Sequence, residues 1–286
     1  MRQHLRAIRA ATWLGWQIES NWTDPWLFFL YLVLKPLCAS LLLWCMFVAA
    51  RSMSAAVPGE LLPFLYVGNA CFMIVGGVAF GLSWVIISDR EHYQMLKYIW
   101  ISPLPLRSYL IGRALARSLQ SAVGVVLTLA GGWLLLPELR SALTWERLDG
   151  RWLVAYLAVG VLMLGAVGMI LAGAVLNLGR HSMLLSEGIA GLIYLLSGVV
   201  FPVEVLPEWL RPLCFFLPTT YWLEGVRRAL MGGTTFGRAL EGWSHGDLVS
   251  ALLLSTALLL VVAHAVFRWN EQRAWRQGRV DQTTGV

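Results

Sequence analysis

Six long runs of apolar residues, at about 27–50, 61–87, 109–136, 152–178, 184–201 and 248–268, dominate the chain. A helix needs about 20 apolar residues to cross the hydrocarbon core of a bilayer, so each run predicts a transmembrane span. The fifth is the shortest and ends at Pro202. Ahead of the first, residues 1–26 vary with helical period. Arg2, Arg6 and Arg9 share one face and Leu5, Ile8 and Thr12 a neighbouring one, while Trp13, Trp16, Trp22 and Trp26 crowd the end. This predicts an amphipathic helix lying in the membrane interface, with its tryptophans at the aromatic belt. The other reading is an amphipathic helix packed on the bundle. Residues 269–286 follow the last run as a polar tail.

Two connections have patterns of their own. Between the second and third runs, Asp89, Arg90 and Glu91 read as the acidic opening of a short helix, placed at its positive end. Met95, Leu96, Ile99 and Trp100 give that helix an apolar face, and Ser102-Pro103-Leu104-Pro105 stops it. Such a helix either rests on the bilayer surface or inserts its apolar face into a groove on a partner. Between the fifth and sixth runs, the stretch from Phe201 to Pro218 is apolar but broken by Pro202, Pro207, Pro212 and Pro218. It predicts short helices dipping into the outer leaflet, where irregular backbone survives only against protein or beside a cavity. Residues 219–231 then predict one more short helix, ended by Gly232-Gly233. Residues 51–60, 137–151 and 179–183 read as loops.

Composition agrees with a membrane bundle. Charged residues make up 13% of the 286 and hydrophobic residues 58%, with mean hydropathy +0.67; soluble domains carry roughly a quarter charged residues. Cys38, Cys45, Cys71 and Cys214 form no paired motif, so neither a disulfide framework nor a metal site is expected. The net charge of +6 reports topology before it reports nucleic acid, and no nucleic-acid partner is expected. With the N-terminus inside, the inner pieces hold thirteen Lys and Arg and the outer pieces eight, the outer ones alongside nine acids. That bias places both termini in the cytoplasm. The first apolar run is too long for the core of a signal peptide.

The chain carries no visible engine. It has no phosphate-binding loop, no HExxH and no GxSxG, and its five histidines are dispersed. Lys35 and Glu187, with His264 third, are the clear candidates for ionisable groups set within the membrane, where such groups mark function or paired burial. Lys35 precedes Pro36 and either snorkels toward the headgroups or meets an anionic one. Glu187 either pairs with Lys35, Arg180 or His181 or borders a cavity. Gly76, Gly77 and Gly81 in the second span and Gly160, Gly165, Gly168 and Gly173 in the fourth predict close helix packing.

Two stretches resemble ABC-2-type transporter permeases. One is Asp89-Arg90-Glu91, Met95-Leu96-Lys97 and Ile101-Ser102-Pro103-Leu104-Pro105-Leu106-Arg107 through Gly112-Arg113. The other is Leu196-Ser197-Gly198-Val199-Val200-Phe201-Pro202, Leu206-Pro207, then Pro218-Thr219-Thr220-Tyr221 through Arg227. Many relatives carry a Gly-Thr-Leu-Glu-type sequence in the first region, whereas this chain has Tyr93-Gln94-Met95-Leu96-Lys97-Tyr98-Ile99.

The resemblance implies an all-α integral membrane protein. It would have six spans, an N-terminal interface helix, a cytoplasmic coupling helix between spans two and three, and re-entrant extracellular helices between spans five and six. It implies a bacterial cytoplasmic-membrane exporter in which two permeases, identical or different, sit on two ATPase subunits that hold ATP and Mg; no cofactor would bind this chain. Coupling would involve Asp89, Arg90, Glu91, Met95, Leu96, Tyr98, Ser102 and Pro103, and an extracellular gate Phe201, Pro202, Pro207, Pro218 and Tyr221. The cargo would be a drug, lipid or lipid-linked glycan. Lys35, Phe72, Phe80, Trp84, Glu187 and Tyr194 are candidates for its path. A polytopic membrane enzyme acting on lipid-linked substrates and a non-transporting scaffold are the alternatives.

Overall fold

A computed structural model describes residues 2–21, 24–54, 57–102, 106–178, 182–233, 236–237 and 240–278, and among these the regular structure is entirely helical. Helix α1 (Arg2–Asn21) precedes α2 (Pro25–Met53). Next, α3 (Leu61–Val75) passes through a π-helical turn, Gly76–Phe80, into α4 (Gly81–Glu91). The short α5 (Leu96–Ile101) leads to α6 (Leu106–Leu135), α7 (Pro137–Ala142) and α8 (Gly150–Asn177). The chain ends in α9 (Ser182–Leu196), a 3-10 turn at Val203–Val205, α10 (Arg211–Phe216), α11 (Pro218–Met231) and α12 (His245–Arg276).

Among the described residues, five units are long and apolar enough to cross a membrane: α2, the continuous α3–α4, α6, α8 and α12. The fifth predicted span is the exception. Its helix, α9, has 15 residues, about 22 Å at 1.5 Å per residue, which is short of the ~30 Å hydrocarbon core. The apolar sequence continues past Leu196, but the chain turns at Ser197 and Gly198, where φ is +70°. Two further boundaries differ from expectation: the charged loop after α6 contains α7, and α12 runs to Arg276, so the expected tail is helical through that residue; α2 runs through Lys35 and Pro36, as the first predicted span does. The side chain of Lys35, the residues Trp22, Pro103, Arg180 and His181, and the last eight positions lie outside what is described.

Helix α8 is the axis of the bundle, with α4, α11 and α12 packed along it. Its glycines explain the close approach. A methyl group at Gly168 would press on the carbonyls of Ala79 and Val78, and one at Gly173 on the backbone of Phe267. At Gly160 it would overlap the indole of Trp222, whose Nε1 donates to the Tyr156 carbonyl at 2.9 Å. Gly165 faces open space. Leucines and valines of α12, such as Leu254, Leu258 and Val261, are exposed and supply lipid-facing surface.

Helix α1 packs along α6. Its small residues Ala7 and Ala11 are buried, and Gly15 lies against Arg113 and Ala116. The backbone of α1 at Ile8 and Thr12 comes so close to Gly112 that no side chain fits there. Leu5 and Trp13 point outward. The helix therefore combines both sequence readings: one face is docked on the bundle, and the outward face is apolar enough for a membrane interface.

The consequence for stability is specific. Gly112→Val should lower the thermal transition of the purified protein by the equivalent of about 1–3 kcal/mol, the usual cost of overpacking. It should also release α1 to proteases. Gly165→Ala, in the same kind of helical setting but facing open space, should leave the transition unchanged or raise it slightly.

Candidate functional site

Three groups of candidate site residues take shape in this fold. The first lies where α4 ends. Asp89 has no exposed surface. Its Oδ2 accepts the Tyr109 hydroxyl at 2.7 Å, and Arg113 donates to that same hydroxyl at 3.0 Å while standing 3.8 Å from Asp89 Oδ1. Arg90, also buried, turns the other way. Its Nη1 donates to the carbonyls of Val175 and Leu178 at 3.3 and 3.2 Å, and its Nε pairs with Glu91 at 2.9 Å. Carbonyls at a helix C-terminus run out of intrahelical donors, and a cation there also suits the helix dipole. One turn along α6 from Arg113, Arg117 pairs with Glu19 of α1. Burial raises the Glu19 carboxyl above its ordinary pKa, and Arg117 and Arg113 pull it back.

This arrangement corrects the sequence reading of Asp89, Arg90 and Glu91. They form the last turn of α4, and the next helix opens at Leu96. The charges find partners on α6, on α8 and on each other, so α4 gains by continuing through them. The chain then turns sharply. Both His92 and Tyr93 donate backbone N–H bonds to the Ser88 carbonyl at 2.9 Å, Met95 donates to the Asp89 carbonyl at 2.9 Å, and Gln94 takes the left-handed conformation at φ 50°.

Helix α5 is thereby held against the bundle. Leu96 is buried among Leu82, Val85, Leu106, Leu110 and their neighbours, with Ile99 and Trp100 half-buried beside them. Met95 precedes its first turn, and the Ser102 hydroxyl donates to the Ile99 carbonyl at 2.7 Å at its end. The opposite face is free: Tyr98 is 64% exposed and Ile101 81%, with Lys97 and Tyr93 alongside. The expected apolar face is thus the docked one, and the exposed face is aromatic, aliphatic and cationic.

At the far end, α11 is buried along most of its length. Arg227 is fully enclosed, its guanidinium 3.6 Å from the centre of the Phe64 ring, and its Nη2 donates to the carbonyls of Gly198 and Val199 at 2.9 Å. Arg228 pairs with Glu224 at 2.9 Å and reaches the carbonyls of Leu240 and Trp243. Pro218 opens α11, and the Tyr221 hydroxyl donates to the Phe215 carbonyl at 2.9 Å, closing the corner with α10. Pro202 is buried, whereas Phe201 and Pro207 are exposed.

The third group lines a groove of about 420 Å³ between the π-helical turn, α4, α6 and α9. It brings together four residues singled out separately in the sequence: Phe72, Phe80, Trp84 and Glu187. Tyr194 stands edge-on to Phe72, ring centres 4.7 Å apart. Ser186 donates to Ser83 at 3.0 Å, and Arg117 forms the back wall. Sequence reasoning missed Arg113, Arg117 and Tyr109 as a site. The signal was present, because the two arginines lie four apart on one face at the start of an apolar run.

This all-helical membrane bundle with a docked connecting helix agrees with the comparison against protein families. Residues 14–231, most of the chain, match the ABC-2 type transporter model, so the protein belongs to the ABC-2 type transporter family. It is a multi-pass membrane protein and a permease component of such a transporter. A comparison with curated proteins gives no match.

The buried ionic pair makes a clear prediction. Asp89→Ala or Arg113→Ala alone leaves an uncompensated charge and should cost about 3–5 kcal/mol of stability. The combination Asp89→Ala with Arg113→Ala removes both charges and should cost less than the sum of the single changes. Thermal unfolding of the four proteins in detergent gives the coupling directly.

Proposed function

We propose that the protein is the transmembrane permease subunit of an ATP-driven exporter in a bacterial cytoplasmic membrane, with both termini in the cytoplasm. Two copies of the chain pair, two ABC ATPase subunits dock on the face of α5, and a hydrophobic or amphipathic cargo leaves the inner leaflet or cytoplasm. ATP and Mg belong to the partner. Family membership supports the partnership, since permeases of this family typically work with an ABC ATPase. The excess of Lys and Arg on the pieces near α1, α5 and the end of α12 supports the orientation.

The observation that carries the reading is the two-sided character of α5. Its outer face offers Tyr98, Ile101 and Lys97 to a partner, an aromatic and aliphatic anchor of the kind that dominates interfaces. Its inner face is locked through Leu96 into the cluster shared by α4, α6 and α8, and Asp89 and Arg90 at the end of α4 tie that helix to α6 and α8. A partner that moves with its nucleotide state can therefore bias the whole bundle, which is what a passive gate requires: differential affinity for two bundle states, supplied from outside. On this reading the 201–221 segment and α11 close the extracellular side.

The test is co-purification of an ATP-hydrolysing chain with the permease. Tyr98→Glu and Ile101→Glu should each weaken association by about tenfold or more, as loss of an interface anchor does, with no change in the permease's own thermal transition. Retained association in both variants, or nucleotide hydrolysis by this chain alone, would reject the proposal.

A further inference from the structure

The groove between the π-helical turn and α9 carries a chemical preference. Its walls are aromatic: Phe72, Phe80 and the indole of Trp84, which is 43% exposed. Its charged lining residues are Arg117 and Glu187. Arg117 is already paired with Glu19. Glu187 is exposed in the groove and has no hydrogen-bond or ion-pair partner among the described residues. It lies five residues beyond the start of α9, about 8 Å along the helix axis, at the depth of the inner-leaflet acyl boundary on the orientation proposed above. A carboxylate at that depth is costly and is retained where it faces a cavity or a partner charge. Aromatic faces around it attract cations and repel anions through their quadrupoles.

We infer that this groove binds an amphiphilic cation, with an apolar body against Phe72, Phe80 and Trp84 and a tertiary or quaternary onium group at Glu187. The inference rests on the permease reading and narrows its cargo. A lipid-linked glycan brings a negatively charged phosphate or diphosphate to the inner leaflet and meets the wrong sign here. A neutral lipid gains nothing from the carboxylate. Ser186 already donates to Ser83, and the charge of Arg117 is met by Glu19, although its buried Nε has no hydrogen-bond partner among the described residues; the charge at the back of the groove therefore does not call for an anionic ligand.

The test uses the full chain in nanodiscs of neutral lipid and two rigid ions of nearly identical shape and opposite charge, tetraphenylphosphonium and tetraphenylborate. Binding is read by quenching of tryptophan fluorescence and by calorimetry. The inference expects the phosphonium to bind more tightly than the borate after correction for partition into empty discs. Glu187→Gln should weaken the phosphonium by about tenfold, as loss of one close charge contact does, and leave the borate unchanged or improved. Glu187→Asp should keep the preference, and Trp84→Ala should weaken the phosphonium without abolishing it.

Equal binding of the two ions by the unaltered protein overturns the inference whatever the variants do. So does a Glu187→Gln protein that keeps full phosphonium affinity. Loss of the permease dimer on size exclusion with phosphonium binding intact would assign Glu187 to the contact between copies and overturns it as well. Failure here is distinguishable from failure of the permease reading, because association with the ATPase is measured at α5 and should be unaffected by Glu187→Gln.

Discussion

The structure depends on charge that has been taken out of water at the end of α4. Asp89 is fully buried beside a membrane-spanning bundle, which is tolerable only because Arg113 and the Tyr109 hydroxyl meet it. Breaking such a pair costs several kcal/mol even where forming it gains little. The arrangement therefore contributes position more than stability. Asp89 fixes α4 to α6, Arg90 fixes it to the end of α8, and Arg117 with Glu19 fixes α6 to α1. Helix α5, only six residues long, could not hold an orientation by itself, since an isolated helix of that length is unstable in water. It is placed by the ionic frame on one side and by the cluster around Leu96 on the other.

The opposite end is held by different means. Trp222 and Gly225 of α11 pack on Gly160 and Tyr156 of α8, and Tyr156 in turn reaches His245 at the start of α12. Aromatic volume fitted into glycine notches is dense and poorly compressible. Because α8 runs between this packing and the Arg90 contact, the two ends share one rigid rod. On the proposed reading, that rod would carry a displacement imposed at α5 to the other end, given a second packing for the bundle to move into.

Much of this was readable in the chain. Five spans follow from length and apolarity alone. The short helix ending at Gly232-Gly233 follows from its composition, and both glycines have positive φ. Gly160, Gly168 and Gly173 act as their spacing predicts. The misreadings share a cause. Charged residues were assumed to be solvated, so Asp89 and Arg90 were read as the opening of a short surface helix, and Arg113 and Arg117 counted only as inner charge at the start of the third span. Their partners lie on other helices, and nothing local distinguishes a buried arginine from a wet one. The end of α9 was invisible for the opposite reason: the sequence stays apolar after the helix has stopped. The groove combines both effects. Phe72, Phe80, Trp84 and Glu187 each drew notice, but only the docking of α9 on the π-helical turn puts them around one space.

The place where α9 gives out shows how a helix terminus can be specified far from itself. Had the helix continued, the Gly198 carbonyl would have accepted the N–H of the residue four positions on, but that residue is Pro202, which has none. The donor comes instead from the guanidinium of Arg227, which serves the carbonyls of both Gly198 and Val199. In a low-dielectric layer an unserved carbonyl costs several kcal/mol, so proline and arginine form a single device split across the chain. An evolutionary change at one of them is therefore expected to be accompanied by a compensating change at the other.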